Sequence, residues 1–177
     1  AIVAPGYGQD MVEYPRIYRE QGVPFIFDPG QQITCLSIDD LRAGIKGAKA
    51  FISNDYELDL IMKKTGLSEN EILAEAELLV TTLGDNGSQI KTKDKEYRIP
   101  PAMPREINDP TGAGDAYRAG FIKGLIEGWP LEITGRFAGV VAVYTVEKYG
   151  TQTHYFDLEG IKQRYWENFK EELPKKE

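Results

Sequence analysis

Short apolar runs alternate along the chain with longer segments in which apolar residues recur every three or four positions. The short runs are typical of buried strands, and the recurring pattern is typical of amphipathic helices. Strands are predicted at residues 1–4, 24–28, 50–53, 78–82, 88–92 and 96–99. Helices are predicted at residues 10–21, 37–45, 54–64, 68–76, 113–127, 131–148 and 157–173. This alternation predicts an α/β fold with a mainly parallel sheet flanked by helices.

Turn-forming residues refine this outline. Pro15 fits poorly inside a helix, so the first helix is expected to begin near Tyr14 with proline at its first position. Residues 85–87, Asp-Asn-Gly, carry a turn signal, and residues 88–99 form a predicted antiparallel hairpin that turns at 93–95. There is no repeat and no linker, so residues 1–177 are assigned to one domain. Residues 174–177 are expected to be frayed.

Composition excludes several function classes. The formal net charge of −7 argues against a nucleic acid partner, because phosphate backbones attract basic surfaces. No apolar run approaches 18 residues, so no membrane span is predicted. Cys35 is the only cysteine, which excludes an internal disulfide and fits a cytoplasmic location. His154 is the only histidine and no G-x-S-x-G motif is present, so a serine or cysteine triad is not supported and His154 is interpreted as structural.

The most unusual segment is DPTGAGD at residues 109–115, directly before a predicted helix. Glycines allow positive φ and close approach of a ligand, and a helix N-terminus presents free N–H groups to an anion. Gly112, Ala113 and Gly114 could therefore form an anion pocket, with Asp115 beside it as a general base. The alternative is an aspartate that only stabilises a helix N-terminus. For an isolated motif the alternative is favoured. The segment lacks the Gly-Lys-Ser/Thr ending of a Walker A loop and the third glycine of a Rossmann fingerprint.

Two other short patterns are ambiguous when each is taken alone. Asn54 and Glu57 stand three residues apart at a predicted helix start, which is the spacing of a capping box. Thr82 ends a predicted strand, and Gly84 and Gly87 come directly after it, where these glycines could serve only to form a turn.

Together these patterns resemble a known family. DPTGAGD resembles the D-T-x-G-A-G-D signature of the PfkB, or ribokinase-like, carbohydrate kinases. NDYE at 54–57 resembles the family's N-x-x-E motif, and TLGDNG at 82–87 resembles its T-x-G-x-x-G segment. Residues 27–32, 114–118 and 150–152 are similar to bacterial adenosine or nucleoside kinases, a subgroup to which Pro110 also fits. The resemblance implies a three-layer α/β/α ribokinase-like fold and an ATP- and Mg²⁺-dependent kinase.

The resemblance also implies a role for each motif residue. Asp115 would be the catalytic base, and Gly112, Ala113 and Gly114 the anion hole. Asn54 and Glu57 would organise Mg²⁺ through water. The implied nucleotide-binding residues are Asn54, Glu57, Thr82, Gly84, Gly87 and Asp109. Arg118 could reach a phosphate or be a solvated helix charge, and both interpretations stay open.

The acceptor is expected to be a nucleoside, adenosine-like, or a sugar. The alternatives are another PfkB sugar kinase, of the ribokinase or fructokinase kind, and a non-catalytic nucleotide-binding fragment. Family members are considerably longer, and the opening strand without an initiator methionine fits a C-terminal portion that lacks the N-terminal half and the lid. The isolated chain is therefore expected to be inactive or nearly so. Homodimerisation of the full-length protein is left open.

Overall fold

The computed structural model describes residues 1–174 and divides into two compact units. The first contains Ala1–Leu83 and Gln89–Glu96, and the second contains Gly84–Ser88 and the chain from Tyr97 onward. Residues 175–177, on which most of the expected fraying falls, lie outside the described part. The assignment of residues 1–177 to one kinase domain stays a prediction.

The structure has a sheet whose strand order follows the chain order, and its first four strands lie entirely in the first unit. The strands are β1 (Ile2–Val3), β2 (Ile26–Phe27), β3 (Ala50–Asn54), β4 (Leu79–Thr82), β5 (Ser88–Lys91) and β6 (Glu96–Ile99). The first four pair in parallel, as the α/β pattern predicted. Phe27, Phe51 and Val80 are fully buried, because strands of a parallel sheet are covered on both faces. The turn predicted at residues 93–95 is confirmed, with Thr92 N donating to Lys95 O at 2.8 Å.

Four α-helices complete the first unit. They are α1 (Gly8–Glu20), α2 (Ile38–Ile45), α3 (Asp55–Thr65) and α4 (Glu69–Glu75), and a 3-10 helix spans Gly30–Thr34. Ser37, Asn54 and Ser68 each close a capping box at the start of a helix. At Gly44 of α2 an added Cβ would lie 2.3 Å from the ring of Phe27, so only glycine lets this helix approach β2. No helix within residues 1–174 combines the length and apolar character needed to cross a bilayer.

The expectation that α1 begins near Tyr14 is wrong. The helix begins at Gly8 and contains Pro15 in its interior. Proline there removes the N–H that would donate to the carbonyl one turn earlier. Pro15 and Met11 are both buried against the core, and that burial offsets the missing hydrogen bond.

Three helices dominate the second unit: α5 (Ala113–Ile126), α6 (Leu131–Val146) and α7 (Leu158–Phe169). Glycines bring α5 and α6 together, since a Cβ at Gly120 would lie 2.8 Å from the Cα of Ala138. The predicted end of α7 at residue 173 is wrong. The helix ends at Phe169 because Lys170 takes a φ of 57° and its N–H closes on Trp166 O.

Candidate active site

Helix α5 begins directly after a glycine that no other residue can replace without strain. Gly112 is the N-cap and has a φ of 85°, in the left-handed region that favours glycine. A Cβ at this position would also lie 3.0 Å from the Cβ of Thr151. The motif glycine is therefore required both by its backbone conformation and by the close approach of the segment around Thr151.

The first amides of α5 differ in what they already bind. Ala113 N donates to Pro110 O at 3.1 Å, and Ala116 N donates to Gly112 O at 3.0 Å. A Cβ added at Gly114 would meet only Arg118 Nη1 within 4 Å, at 3.9 Å, so the space above Gly114 is open. The positive end of the helix dipole lies at the same place. Sequence reasoning treated Gly112, Ala113 and Gly114 as equivalent, whereas in the structure the amide of Ala113 is turned into the local fold.

Asp115 stands in the first turn of α5 with a side chain that is 74% exposed. Its Oδ1 pairs with Nη2 of Arg118, one helical turn later, whose side chain is only 15% exposed. Both the helix N-terminus and the guanidinium are favourable neighbours for a carboxylate. The structure thus places Arg118 against Asp115 in the free chain, an arrangement that neither of the two open interpretations of Arg118 included.

Asp109 is a structural clamp at the start of the motif. Its Oδ1 accepts from Thr111 N at 2.9 Å and its Oδ2 from Gly150 N at 3.1 Å. The hydrogen bonds from Thr111, followed by that from Gly150, lower the pKa of Asp109. The clamp joins the motif to the turn after α6 at Gly150. The next residue of that turn, Thr151, is the one that lies close to Gly112.

Glu147, directly after α6, forms a buried ion pair with α7 and also accepts hydrogen bonds from the segment before the motif. Sequence reasoning missed these contacts. The carboxylate of Glu147 accepts hydrogen bonds from Arg164 of α7 and from Arg105 N. The carbonyl of Glu147 accepts from Asn108 Nδ2 at 3.0 Å. Glu147 and Arg164 are 17 residues apart, and no local pattern in the chain signals such a pair.

The turn predicted at residues 85–87 takes the form of a 3-10 helix, Gly84–Asn86, followed by Gly87 with a φ of 84°. A Cβ at Gly87 would lie 2.1 Å from Ile99 O, so Gly87 has a structural reason to be glycine. The next residue, Ser88, shares a buried hydrogen bond of 2.7 Å with the hydroxyl of Tyr117 in α5. Sequence reasoning missed this contact too.

The remaining predicted residues lie in the first unit, at the carboxyl ends of two neighbouring strands. Asn54 ends β3 and Thr82 ends β4, and the two are register partners. Glu57 N donates to Asn54 Oδ1 at 2.7 Å, and Asn54 N donates to Glu57 Oε2 at 2.9 Å. The pair therefore forms the capping box that its spacing suggested. Ligands of open α/β sheets collect at such strand ends.

The capping box is compatible with a water-mediated metal contact. Within residues 1–174 there is no group of three or more histidine, cysteine, aspartate or glutamate side chains that could hold a metal ion by itself. Mg²⁺ typically keeps several waters and binds one or two carboxylates together with substrate phosphates. Glu57 uses one carboxylate oxygen in the cap, and a carboxylate has two. The free carboxylate oxygen of Glu57 therefore fits a Mg²⁺ ion that arrives with a nucleotide.

His154 contacts Thr145 and Phe156, which are not among the predicted site residues. Its ring lies within 3.4 Å of Thr145 Oγ1 and stacks on Phe156, with ring centroids 6.1 Å apart. These contacts agree with a structural role.

Comparison with known proteins gives the family. The model of the pfkB family carbohydrate kinases matches residues 9–157. The nucleoside kinase of Methanothermobacter thermautotrophicus is 38% identical over 146 residues, which are 81% of this chain and 47% of that protein. The nucleoside kinase of Methanocaldococcus jannaschii is 35% identical over 128 residues, or 72% of this chain and 42% of that protein. The chain spans about half the length of these curated relatives.

Solved structures agree in fold. The structure of Burkholderia thailandensis nucleoside kinase in complex with inosine superposes with a TM-score of 0.95 and 35% sequence identity, over 97% of this chain and 56% of that one. A structure of the same kinase in complex with ADP-inosine also gives a TM-score of 0.95. The α/β, ribokinase-like fold class is confirmed, and so is the resemblance carried by the three motifs. The chain belongs to the pfkB family of carbohydrate kinases.

Proposed function

We propose that this chain carries the phosphoryl-transfer site of an ATP-dependent nucleoside kinase. The observation that supports it most directly is the start of α5. There an exposed carboxylate, Asp115, follows a left-handed glycine, Gly112, at the positive end of a helix dipole. A carboxylate beside an anion site can act as a general base, and phosphoryl transfer to a hydroxyl supplies the proton that it accepts.

The proposed reaction is an in-line displacement. The acceptor hydroxyl loses its proton to Asp115 as its oxygen forms a bond to the γ-phosphorus of ATP. The bond from that phosphorus to the bridging oxygen breaks, and ADP leaves with the electron pair. Asp115 then releases the proton to water. Arg118, which pairs with Asp115 in the free chain, becomes available to the transferred phosphoryl group once the acceptor hydroxyl approaches the carboxylate.

The anion hole is proposed at the first turn of α5. Its main donor is proposed to be the amide of Gly114, because Gly114 is exposed at the helix start and the amide of Ala113 is already engaged by Pro110 O. Gly112, with a φ of 85°, sets the left-handed turn of the backbone that leads into α5. Preorganised donors of this kind stabilise the charge that develops on a transferred group.

Asn54, Glu57 and Thr82 are proposed to bind the nucleotide. The same role is proposed for Gly84 and Gly87, in the turn that follows β4. Mg²⁺, when bound with the nucleotide, would neutralise charge on the β- and γ-phosphates. Asp109 is proposed to act on the nucleotide site through the clamp on Gly150.

The acceptor class is proposed as nucleoside because the two archaeal relatives described above are nucleoside kinases and the Burkholderia kinase was solved with inosine. Since the chain spans about half of these relatives, we expect the isolated chain to bind nucleotide weakly and to turn over little. Its activity would appear in the full polypeptide of which this sequence is a part. A cytoplasmic location, where ATP is abundant, belongs to the same proposal, and dimerisation of the whole protein stays a prediction.

The test uses the full-length polypeptide encoded by the gene that contains this sequence. ADP release from Mg-ATP is measured with adenosine, inosine, ribose and fructose 6-phosphate, beside the Asp115→Asn variant. We expect nucleoside-dependent turnover that falls about 10²–10⁴-fold in the variant. Turnover with a sugar alone would keep the mechanism and replace the acceptor class. ATP binding without turnover on any acceptor would favour a non-catalytic nucleotide-binding protein.

A further inference from the structure

The turn between β4 and β5 is fixed from its C-terminal side. Gly87 packs so closely against the backbone of Ile99 and Pro100 that a Cβ would overlap them. The next residue, Ser88, is 3% exposed, and its hydroxyl lies 2.7 Å from the hydroxyl of Tyr117. All of these residues belong to the second unit.

Tyr117 lies on the buried side of α5, two residues after Asp115. Its ring stacks on that of Phe121, with centroids 6.2 Å apart and an interplanar angle of 15°. The residue as a whole is 6% exposed. Because packing fixes the ring, the position of the hydroxyl is fixed as well, and Ser88 is held at a defined distance from the start of the helix.

Loss of the hydrogen bond between Ser88 and Tyr117 should lower the stability of the fold, because both residues are buried. Burial raises the pKa of the Tyr117 phenol, so the hydroxyl keeps its proton at neutral pH. A buried hydroxyl left without its partner keeps the full cost of its desolvation. Phenylalanine could fill the same space without this hydroxyl, so the polar group is separable from the packing.

We propose that Tyr117 is a positioning residue for the nucleotide, because its hydroxyl holds the Gly84–Gly87 turn, through Ser88, at a fixed distance from the helix end that carries Gly112 and Asp115. The inference rests on the proposed function, which assigns both segments to one nucleotide. A phosphate chain held by two segments reacts only when their separation is correct, and small displacements reduce the rate strongly.

The experiment compares the wild-type full-length polypeptide that contains this sequence with its Tyr117→Phe, Ser88→Ala and double variants, well below their melting temperatures. Hydrogen exchange of the Gly87 amide, which donates to Gly84 O at 3.2 Å, reports the turn. Calorimetric titration with ADP reports the site, and Tm reports overall stability. Tyr117→Phe should speed exchange at Gly87 by about tenfold and weaken ADP binding by about three- to tenfold.

The double variant separates positioning from stability. It removes both hydroxyls, so no buried group is left unsatisfied, and its Tm should recover toward that of the wild type. Exchange at Gly87 and the affinity for ADP should not recover, because the link itself is absent. Tyr7→Phe, at an exposed tyrosine of the first unit, is the matched control and should change none of the three quantities.

Two results would overturn the inference. In one, Tyr117→Phe lowers Tm and leaves both Gly87 exchange and ADP affinity as in the wild type. In the other, the double variant restores all three quantities. A wild-type full-length polypeptide that binds no ADP would count against the proposed function. The exchange rates at Gly87 would then decide the link by themselves, with faster exchange in Tyr117→Phe supporting it and unchanged exchange overturning it.

Discussion

Arg164 in α7 donates two hydrogen bonds to the carboxylate of Glu147 at the end of α6, at 2.6 Å to Oε1 and 3.1 Å to Oε2. The two residues are 3% and 8% exposed. Arg105 N donates to the same Oε1 at 2.6 Å, so one buried carboxylate joins α7, α6 and the segment that leads into the DPTGAGD motif. The pair is therefore a structural support for the candidate active site.

Replacing Glu147 by glutamine should destabilise the chain by about 3–5 kcal/mol at neutral pH, because the buried Arg164 guanidinium keeps only the more distant and more exposed carboxylate of Glu167, 3.9 Å from its Nε. Thermal and urea unfolding measure the loss. Glu20→Gln, which breaks the exposed pair with Arg16, is the control and should change stability by less than about 1 kcal/mol. Equal losses in the two variants would show that the buried pair contributes no more to stability than an exposed pair.

The same carboxylate should make stability depend on pH. Burial by itself would raise the pKa of Glu147, but the hydrogen bonds from Arg164 and Arg105 outweigh it and lower the pKa in the folded state. A lowered pKa gives stability that is complete above the unfolded value of 4.5 and is lost as pH falls through the folded value. The free energy of unfolding of the wild type should therefore fall more steeply below about pH 5 than that of Glu147→Gln. Parallel pH profiles would contradict this assignment.

Gly112→Ala should cost more than a positive φ alone explains. The new Cβ meets a backbone φ of 85° and the side chain of Thr151 at 3.0 Å. Gly22→Ala is the matched control, since Gly22 has a φ of 66° and nothing within 4 Å of its added Cβ. The control should lose about 1–2 kcal/mol, and Gly112→Ala should lose more and also weaken ADP binding. Similar losses in both would show that Thr151 yields easily.

Glu57→Gln should separate the cap from the charge. The glutamine oxygen can still accept from Asn54 N, as Glu57 Oε2 does now, so Tm should change little. The negative charge is lost, so the Mg²⁺ dependence of ADP binding should weaken. Glu71→Gln, at the same position of the capping box that Ser68 begins, is the control and should leave that dependence unchanged. An unchanged Mg²⁺ dependence in Glu57→Gln would reduce the pair to a helix cap.

Asp109→Asn should loosen the turn after α6. Asparagine has one acceptor oxygen, so it can keep the bond from Thr111 N or that from Gly150 N, but not both as Asp109 does. Exchange of the Gly150 amide should become faster. Asp157→Asn is the control, because Asp157 needs only one oxygen to cap α7 by accepting from Gly160 N. Slow exchange at Gly150 in Asp109→Asn would show that the clamp is not needed.

The sequence by itself determined the fold class, the family motifs and the identity of the candidate base. Strand and helix periodicity depends on neighbours within a few residues, and the capping box of Asn54 and Glu57 was readable from its spacing. Local rules failed where burial outweighed them, as at Pro15, which lies inside α1 rather than at its start. They also failed at the end of α7, where Lys170 adopts a left-handed conformation that its residue type does not signal.

Only the tertiary structure decided what supports the motifs. Tyr117 meets Ser88 across 29 residues of chain, and Arg164 meets Glu147 across 17. Gly112 must be glycine partly because Thr151 packs against it, and the pairing of Asp115 with Arg118 depends on which side of α5 is left exposed. Such contacts depend on how elements pack, and packing is set by the shape and burial of the whole core rather than by any short stretch of sequence.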